Sequence, residues 1–209
     1  MVVIFDVDGT ILDTYPLVRA SYIHTFKKYL PEYEYDEKLL KSFFGPPLPD
    51  TFKKVTSDDE LIKLLILEYQ KFSNENAEKY LKTFPNLIPV LKNLKSKGHK
   101  LAVLSNKHSE AIRFEFKTLG IFPYFDFIIG YNDVVNPKPH PEGIYKIKEK
   151  FKEDCIFVGD SIYDIEAAKN ANVKIIIVSW ANLPESVKVD YVIDEFSEIL
   201  EIIEGGKNV

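Results

Sequence analysis

Several things are scarce in this 209-residue chain, which has one cysteine, one methionine, one tryptophan and four histidines. A single thiol, Cys155, cannot close an internal disulfide, so a reducing, cytoplasmic setting is expected. No apolar run approaches the roughly 20 residues a membrane span requires. The short run Val2-Val3-Ile4-Phe5 has no basic flank and meets Asp6 at once, unlike a signal peptide. Positive charge is also short. Lys and Arg number 27 against 32 Asp and Glu, a net charge of −5, so the chain lacks the basic field that nucleic-acid binding draws on. Membrane and nucleic-acid partners are disfavoured, and a monomer is expected.

Apolar residues are plentiful. At 45% hydrophobic the chain is rich enough for the core of one α/β domain carrying a modest insertion. Val2 to Val7 reads as a strand buried on both faces, and the same texture returns at 100–104, 127–129, 155–158 and 174–178, with a short edge strand at 191–193. Amphipathic helices are predicted between them at 86–97, 109–119, 141–151, 162–171 and 197–203, with Gly98 and Gly120 as C-caps. Such alternation implies a parallel, Rossmann-like sheet with right-handed crossovers.

Residues 14–82 break the alternation with helical patterns alone. Val18, Tyr22, Ile23 and Phe26 share a helical stripe, and Ser57-Asp58-Asp59-Glu60 reads as a capping box before Leu61, Leu64, Leu65 and Tyr69. The intervening Phe43-Phe44-Gly45-Pro46-Pro47-Leu48-Pro49 is expected to be a stiff loop. The predicted organisation is an α/β core of residues 1–13 and 83–209 with an all-helical insertion at 14–82.

Asp6-Val7-Asp8-Gly9-Thr10 closes the first strand. Its carboxylates at i and i+2 would share a face, where like charges are costly without a cation between them. Gly9 permits a turn whose amides meet an anion. Taken alone, the pattern is equally an ordinary Asp-Gly turn. Three later features sit where parallel strands end, the place where α/β folds bind ligands. They are Ser105-Asn106-Lys107, Lys138 within Asn136-Pro137-Lys138-Pro139, and Gly159-Asp160-Ser161-Ile162-Tyr163-Asp164. Four aspartates, a lysine and a hydroxyl would then meet at one sheet edge. Oxygen-only ligands call for a hard divalent ion, and Mg²⁺ fits; Lys138 and Ser105 would face an anion that also touches the metal, as phosphate would.

This ordered set resembles the haloacid dehalogenase superfamily over essentially the whole chain. The resemblance implies a phosphatase with Asp6 as nucleophile and Mg²⁺ ligand. It makes Asp8 a metal ligand through its carbonyl and the general acid and base through its side chain. Ser105 and Lys138 would hold the phosphoryl group, with Gly9, Thr10 and Asn106 also on the phosphate. Asp160 would complete the metal site, Asp164 would support it from outside, and residues 14–82 would form a small cap. An acid at Asp8 argues against carbon–halogen chemistry, which the true dehalogenases perform without one.

The cap resembles that of the small bacterial pyrophosphatases in His24-Thr25 and in Phe44-Gly45-Pro46-x-Leu48-x-Asp50-Thr51-Phe52, as does Val178-Ser179-Trp180 in the core. It resembles phosphoglycolate phosphatases more loosely. Gly45, Pro46 and Leu48 are the candidate substrate-loop residues. The loop carries no basic residue, which lowers the sugar-phosphate mutase reading. A signalling receiver, also phosphorylated on aspartate with Mg²⁺, would need neither the cap nor the Gly-Asp-x-x-x-Asp pair. The loop between bulky Phe43-Phe44 and Phe52 suits a small leaving group, and Arg19, His24, Lys27 and Lys28 on one helix favour pyrophosphate over phosphoglycolate.

Overall fold

The computed structural model describes residues 1–181, 183, 184 and 186–205. It divides into two compact units, one of residues 13–82 and one of residues 1–12 with 83 onward.

The smaller unit is helical: α1 (Tyr15–Tyr29), α2 (Glu37–Ser42), α3 (Leu48–Lys53) and α4 (Asp59–Tyr80). Its core is aromatic. Tyr22 packs 4.8 Å from Tyr69, 5.2 Å from Phe43 and 5.5 Å from Phe52, between ring centroids. Three expectations need correction here. The 43–49 segment is not all loop, because α3 begins at Leu48; Pro49 falls in its first turn, where a missing N–H breaks no helical bond. The cap of α4 is Asp58, one residue later than expected, because its carboxylate accepts from the N–H groups of Glu60 and Leu61. Leu64, expected inside, is 48% exposed; the buried apolar residues of that helix are Ile62, Leu65 and Ala77.

The larger unit carries β1 (Val2–Phe5), β2 (Lys100–Leu104), β3 (Phe127–Ile129), β4 (Cys155–Gly159), β5 (Lys174–Val178) and β6 (Tyr191–Ile193). All pair in parallel, in the order β3-β2-β1-β4-β5-β6. This is the expected Rossmann-like sheet. Its helices are α5 (Leu87–Ser96), α6 (Ser109–Thr118), α7 (Glu142–Phe151), α8 (Ile162–Asn170) and α9 (Glu198–Ile203). Both faces are covered, which is why the strands read as continuous apolar runs. Val3, Phe5, Val103 and Val158 pack with Leu91, Ile112, Phe116 and Ile199 from α5, α6 and α9. Val2, Ile4 and Phe157 turn the other way, onto Ile144, Ile147, Ile165 and Ala168 from α7 and α8. Gly98 and Gly120 follow α5 and α6 at positive φ, as C-caps do.

The strand order reverses at β1, whose neighbours β2 and β4 lie on opposite sides. Crossovers therefore leave in both directions there and open a crevice at the carboxyl ends of β1 and β4. The residues that follow those two strands are Asp6 and Asp160.

Candidate active site

Asp6 leaves β1 at a turn built on Val7, whose carbonyl accepts from the N–H groups of Thr10, Ile11 and Leu12. Gly9 sits at φ +82°, a conformation costly for any residue with a Cβ. Trp180 Nε1 donates to the Gly9 carbonyl at 2.9 Å and braces the turn from beyond β5. The turn corrects one expectation. Gly9 N–H donates to Leu12 O and Thr10 N–H to Val7 O, so these amides close the turn and are not presented to an anion. The Thr10 hydroxyl instead donates to Asp160 Oδ1 at 3.0 Å.

Lys138 is the hub of the site. Its ammonium lies 2.6 Å from Asp6 Oδ1 and 2.6 Å from Asp164 Oδ1, with all three residues buried. Burial works against the charge on Lys138, yet Asp164 and Asp6 together outweigh it and raise the pKa. Asp164 is inaccessible to solvent. Its Oδ2 accepts from the Ser161 hydroxyl at 2.6 Å and from the N–H groups of Ser161 and Asp160 at 3.0 and 3.2 Å. Its lone pairs are committed to holding the lysine and the start of α8, which suits a support.

Asp6, Asp160 and Asp164 bring carboxylate oxygens within 4.8 Å of one another. Burial is the largest influence on Asp6 and, with the charges of Asp164 and Asp8, overrides Lys138 and raises its pKa to about 6. Burial, then Asp6 and Asp164, push Asp160 well above the usual carboxylate range. Three carboxylates against one ammonium leave this cluster short of positive charge, and its side-chain donors are all oxygen. The residues fit a hard divalent cation.

Ser105 and Asn106 follow β2. Ser105 is buried, and its hydroxyl oxygen accepts from Lys107 N–H at 3.4 Å, which leaves its own proton to give. Asn106 donates its amide to the Lys138 carbonyl at 3.0 Å, so its side chain braces the loop that carries the lysine. Asp8 is held by Lys107, the one residue of the Ser105-Asn106-Lys107 segment to which the sequence assigns no role. Lys107 Nζ lies 2.7 Å from Asp8 Oδ1 and 2.6 Å from Oε1 of Glu115, a buried carboxylate on α6. Asp8 and Glu115 raise the Lys107 pKa against burial, and burial raises Glu115 to about 7 against the pull of Lys107. Gly45, Pro46 and Leu48 lie in the other unit, where Gly45 and Pro46 connect α2 to α3 and Leu48 opens α3.

The family model for haloacid dehalogenase-like hydrolases matches residues 3–178, from β1 to the end of β5. The chain belongs to that family. Among curated relatives of this hydrolase, pyrophosphatase PpaX of Oceanobacillus iheyensis is 33% identical over 208 residues, covering 96% of this chain and 95% of the relative. Pyrophosphatase PpaX of Halalkalibacterium halodurans is 34% identical with the same coverage. A Haemophilus somnus structure, described as a predicted phosphoglycolate phosphatase, superposes with a TM-score of 0.85 at 25% identity, covering 97% of each chain. CbbY from Rhodobacter sphaeroides, solved with phosphate, shares the fold at a TM-score of 0.80 and 20% identity, covering 95% of each chain. The hydrolase is therefore of the phosphatase class, and among the described residues no helix is long and apolar enough to cross a membrane.

Two further expectations change within the helical unit of the hydrolase. Phe43 and Phe52 do not stand as walls beside a substrate; they are 2% and 0% exposed and form that unit's own core. Three of the four basic side chains of α1 are already paired within the unit. Arg19 pairs with Glu37 at 2.9 Å, while His24 and Lys28 both pair with the buried Glu68, at 2.8 and 2.6 Å. Their weight in favour of a highly charged leaving group falls accordingly.

Proposed function

We propose that this protein is a Mg²⁺-dependent phosphohydrolase that works through a phosphoaspartate on Asp6 and takes pyrophosphate as its substrate. The observation that carries the reading is the Lys138 ammonium set 2.6 Å from both Asp6 and Asp164, beside Asp160, in the crevice between β1 and β4. Asp6, the Asp8 carbonyl and Asp160 would hold the ion, with Asp164 behind them. The ion would supply charge neutralisation on the phosphoryl oxygens and lower the barrier to anionic attack.

Asp6 attacks phosphorus as a carboxylate and needs no base to start. Lys138 and the Ser105 hydroxyl take the developing charge on the phosphoryl oxygens. Asp8 gives its proton to the departing oxygen. It then removes one from the water that attacks the phosphoaspartate, so Asp6 and Asp8 end as they began. Choice of leaving group is assigned to residues 14–82 as the cap, with Gly45, Pro46 and Leu48 as its substrate-loop residues.

Pyrophosphate is favoured by the similarity to PpaX pyrophosphatases across nearly the whole chain. Phosphoglycolate is the second reading, favoured by the Haemophilus somnus neighbour. Comparing kcat/KM for the two, with AMP and glucose 6-phosphate as bulky controls, tests the assignment. A tenfold preference for phosphoglycolate reverses the order, and a tenfold preference for either control rejects both.

A further inference from the structure

The active-site crevice contains two lysines, Lys138 buried and Lys107 half-buried, and each bridges an aspartate of the Asp6-Val7-Asp8 turn to a carboxylate on the helix that follows a neighbouring strand. Lys138 joins Asp6 to Asp164 on α8; Lys107 joins Asp8 to Glu115 on α6. The first triad is accounted for by the nucleophile and the phosphoryl group. The second touches neither. We infer that Lys107, anchored by Glu115, is a positioning residue that fixes the Asp8 carboxyl in the orientation from which it exchanges protons with the leaving group and with water.

Geometry supports this in three ways. The lysine binds Asp8 through Oδ1 alone, at 2.7 Å, so it fixes the carboxyl while Oδ2 is not engaged by it. Lys107 is itself held, because its second partner, Glu115, is 3% exposed and sits on a regular helix eight residues beyond it. Finally, Lys107 follows Ser105 and Asn106 directly, so the loop that supplies the phosphate-facing hydroxyl also sets the acid. Loop, acid and hydroxyl therefore share one anchor. Proton transfer falls steeply with misplacement, and an error near 1 Å costs about 10²-fold.

The inference rests on reading Asp8 as the acid and base, and the experiment separates the two. Formation of the phosphoaspartate from phenyl phosphate expels a basic phenolate and needs the acid. The same step from p-nitrophenyl phosphate expels a stable anion and hardly does. Since kcat/KM reports only this first step, Lys107→Met should lower kcat/KM for phenyl phosphate about 10- to 100-fold and for p-nitrophenyl phosphate less than about threefold. Inhibition by inorganic phosphate should stay within about threefold of the parent, since the lysine is not a phosphate ligand.

Lys107→Met strands Glu115 in the interior, so the double variant Lys107→Met/Glu115→Met is measured beside it, and both should show the same selective loss. Lys107→Arg should recover most of it. Equal losses on both substrates, no loss, or weakened phosphate inhibition would each overturn the positioning role. Asp8→Asn, run in parallel, should show the same selectivity more strongly. If it does not, the acid–base reading of Asp8 has failed and the inference falls with it.

Discussion

Gly159→Ala places one methyl group against the support of the active site. Gly159 ends β4, and a Cβ there would stand 2.6 Å from both Cβ and Cγ of Asp164 and 2.7 Å from its Oδ2. Ordinary contact starts at 3.4 Å, so the aspartate must retreat by about 0.8 Å, the difference of 3.4 and 2.6. It has nowhere easy to go. Asp164 is fully buried and bonded to Lys138, Ser161 and the Asp160 amide. Overpacking of this kind costs about 1–3 kcal/mol. For a chain of this length each kcal/mol lowers Tm by roughly 2–4 °C, so a fall of about 2–12 °C is expected. Activity should suffer more than stability, because Lys138 and the start of α8 move with Asp164; a displacement near 1 Å costs about 10²-fold in kcat/KM. Differential scanning fluorimetry and p-nitrophenyl phosphate turnover in Mg²⁺ read the two effects. Gly98→Ala is the control. Gly98 has open space around its Cβ direction but a φ of +82°, so alanine there should cost about 1–2 kcal/mol of backbone strain and leave kcat unchanged. A Gly159→Ala protein with parental Tm and kcat would show that Asp164 sits loosely and does not fix Lys138.

Chelation with EDTA should abolish turnover, and Ca²⁺ should inhibit, because its larger and looser coordination misplaces Asp6 against phosphorus; full activity in EDTA would sink the metal assignment. Asp6→Asn should remove turnover and raise Tm in EDTA at pH 8. The folded pKa of Asp6 lies near 6, above its ordinary 3.8, so the ionised carboxylate is a burden above pH 6 that fades as pH falls toward 3.8. The difference in Tm should shrink in step, and a variant that melts lower than the parent at pH 8 refutes the sign. Glu68 behaves oppositely: hydrogen bonds from Lys28 and then His24 lower its pKa from 4.5 to about 2. Its stabilisation is present above pH 4.5 and lost as pH falls toward 2, so Glu68→Gln should flatten the acid unfolding curve in that window.

Sheet and motifs were legible in the sequence for one shared reason. A strand covered on both faces must be apolar along its length, so each polar residue that interrupts such a run marks the strand's end, and ends are where this fold puts chemistry. Asp6 after β1, Ser105 after β2 and Asp160 after β4 announce themselves in this way, and Asp164 follows from the helix that Asp160 precedes. What was not legible depends on partners distant in sequence. Glu115 reads as one more polar residue of an amphipathic helix; nothing local says that it is buried or that Lys107 reaches it. The Thr10 and Gly9 amides were expected to meet an anion because a glycine turn permits that, but a turn must also satisfy its own backbone, and Val7 and Leu12 took those donors. Leu64 misled for a related reason, since a helical stripe locates a face and not the width of the neighbour that covers it.

The same difference in legibility separates the two lysines. Lys138 stands between two prolines after a strand, a setting that marks it in the sequence. Lys107 follows an equally informative Ser-Asn pair, yet a lysine near a loop is by default a solvated charge, and only the buried carboxylate on α6 reverses that default. In space the two lysines are alike: two carboxylates converge on each ammonium, with one member of each pair drawn from the same three-residue turn. A turn with aspartates at i and i+2 is stable beside a sheet edge only if both charges are compensated. The structure sets a separate lysine against each of them, Lys138 against Asp6 and Lys107 against Asp8.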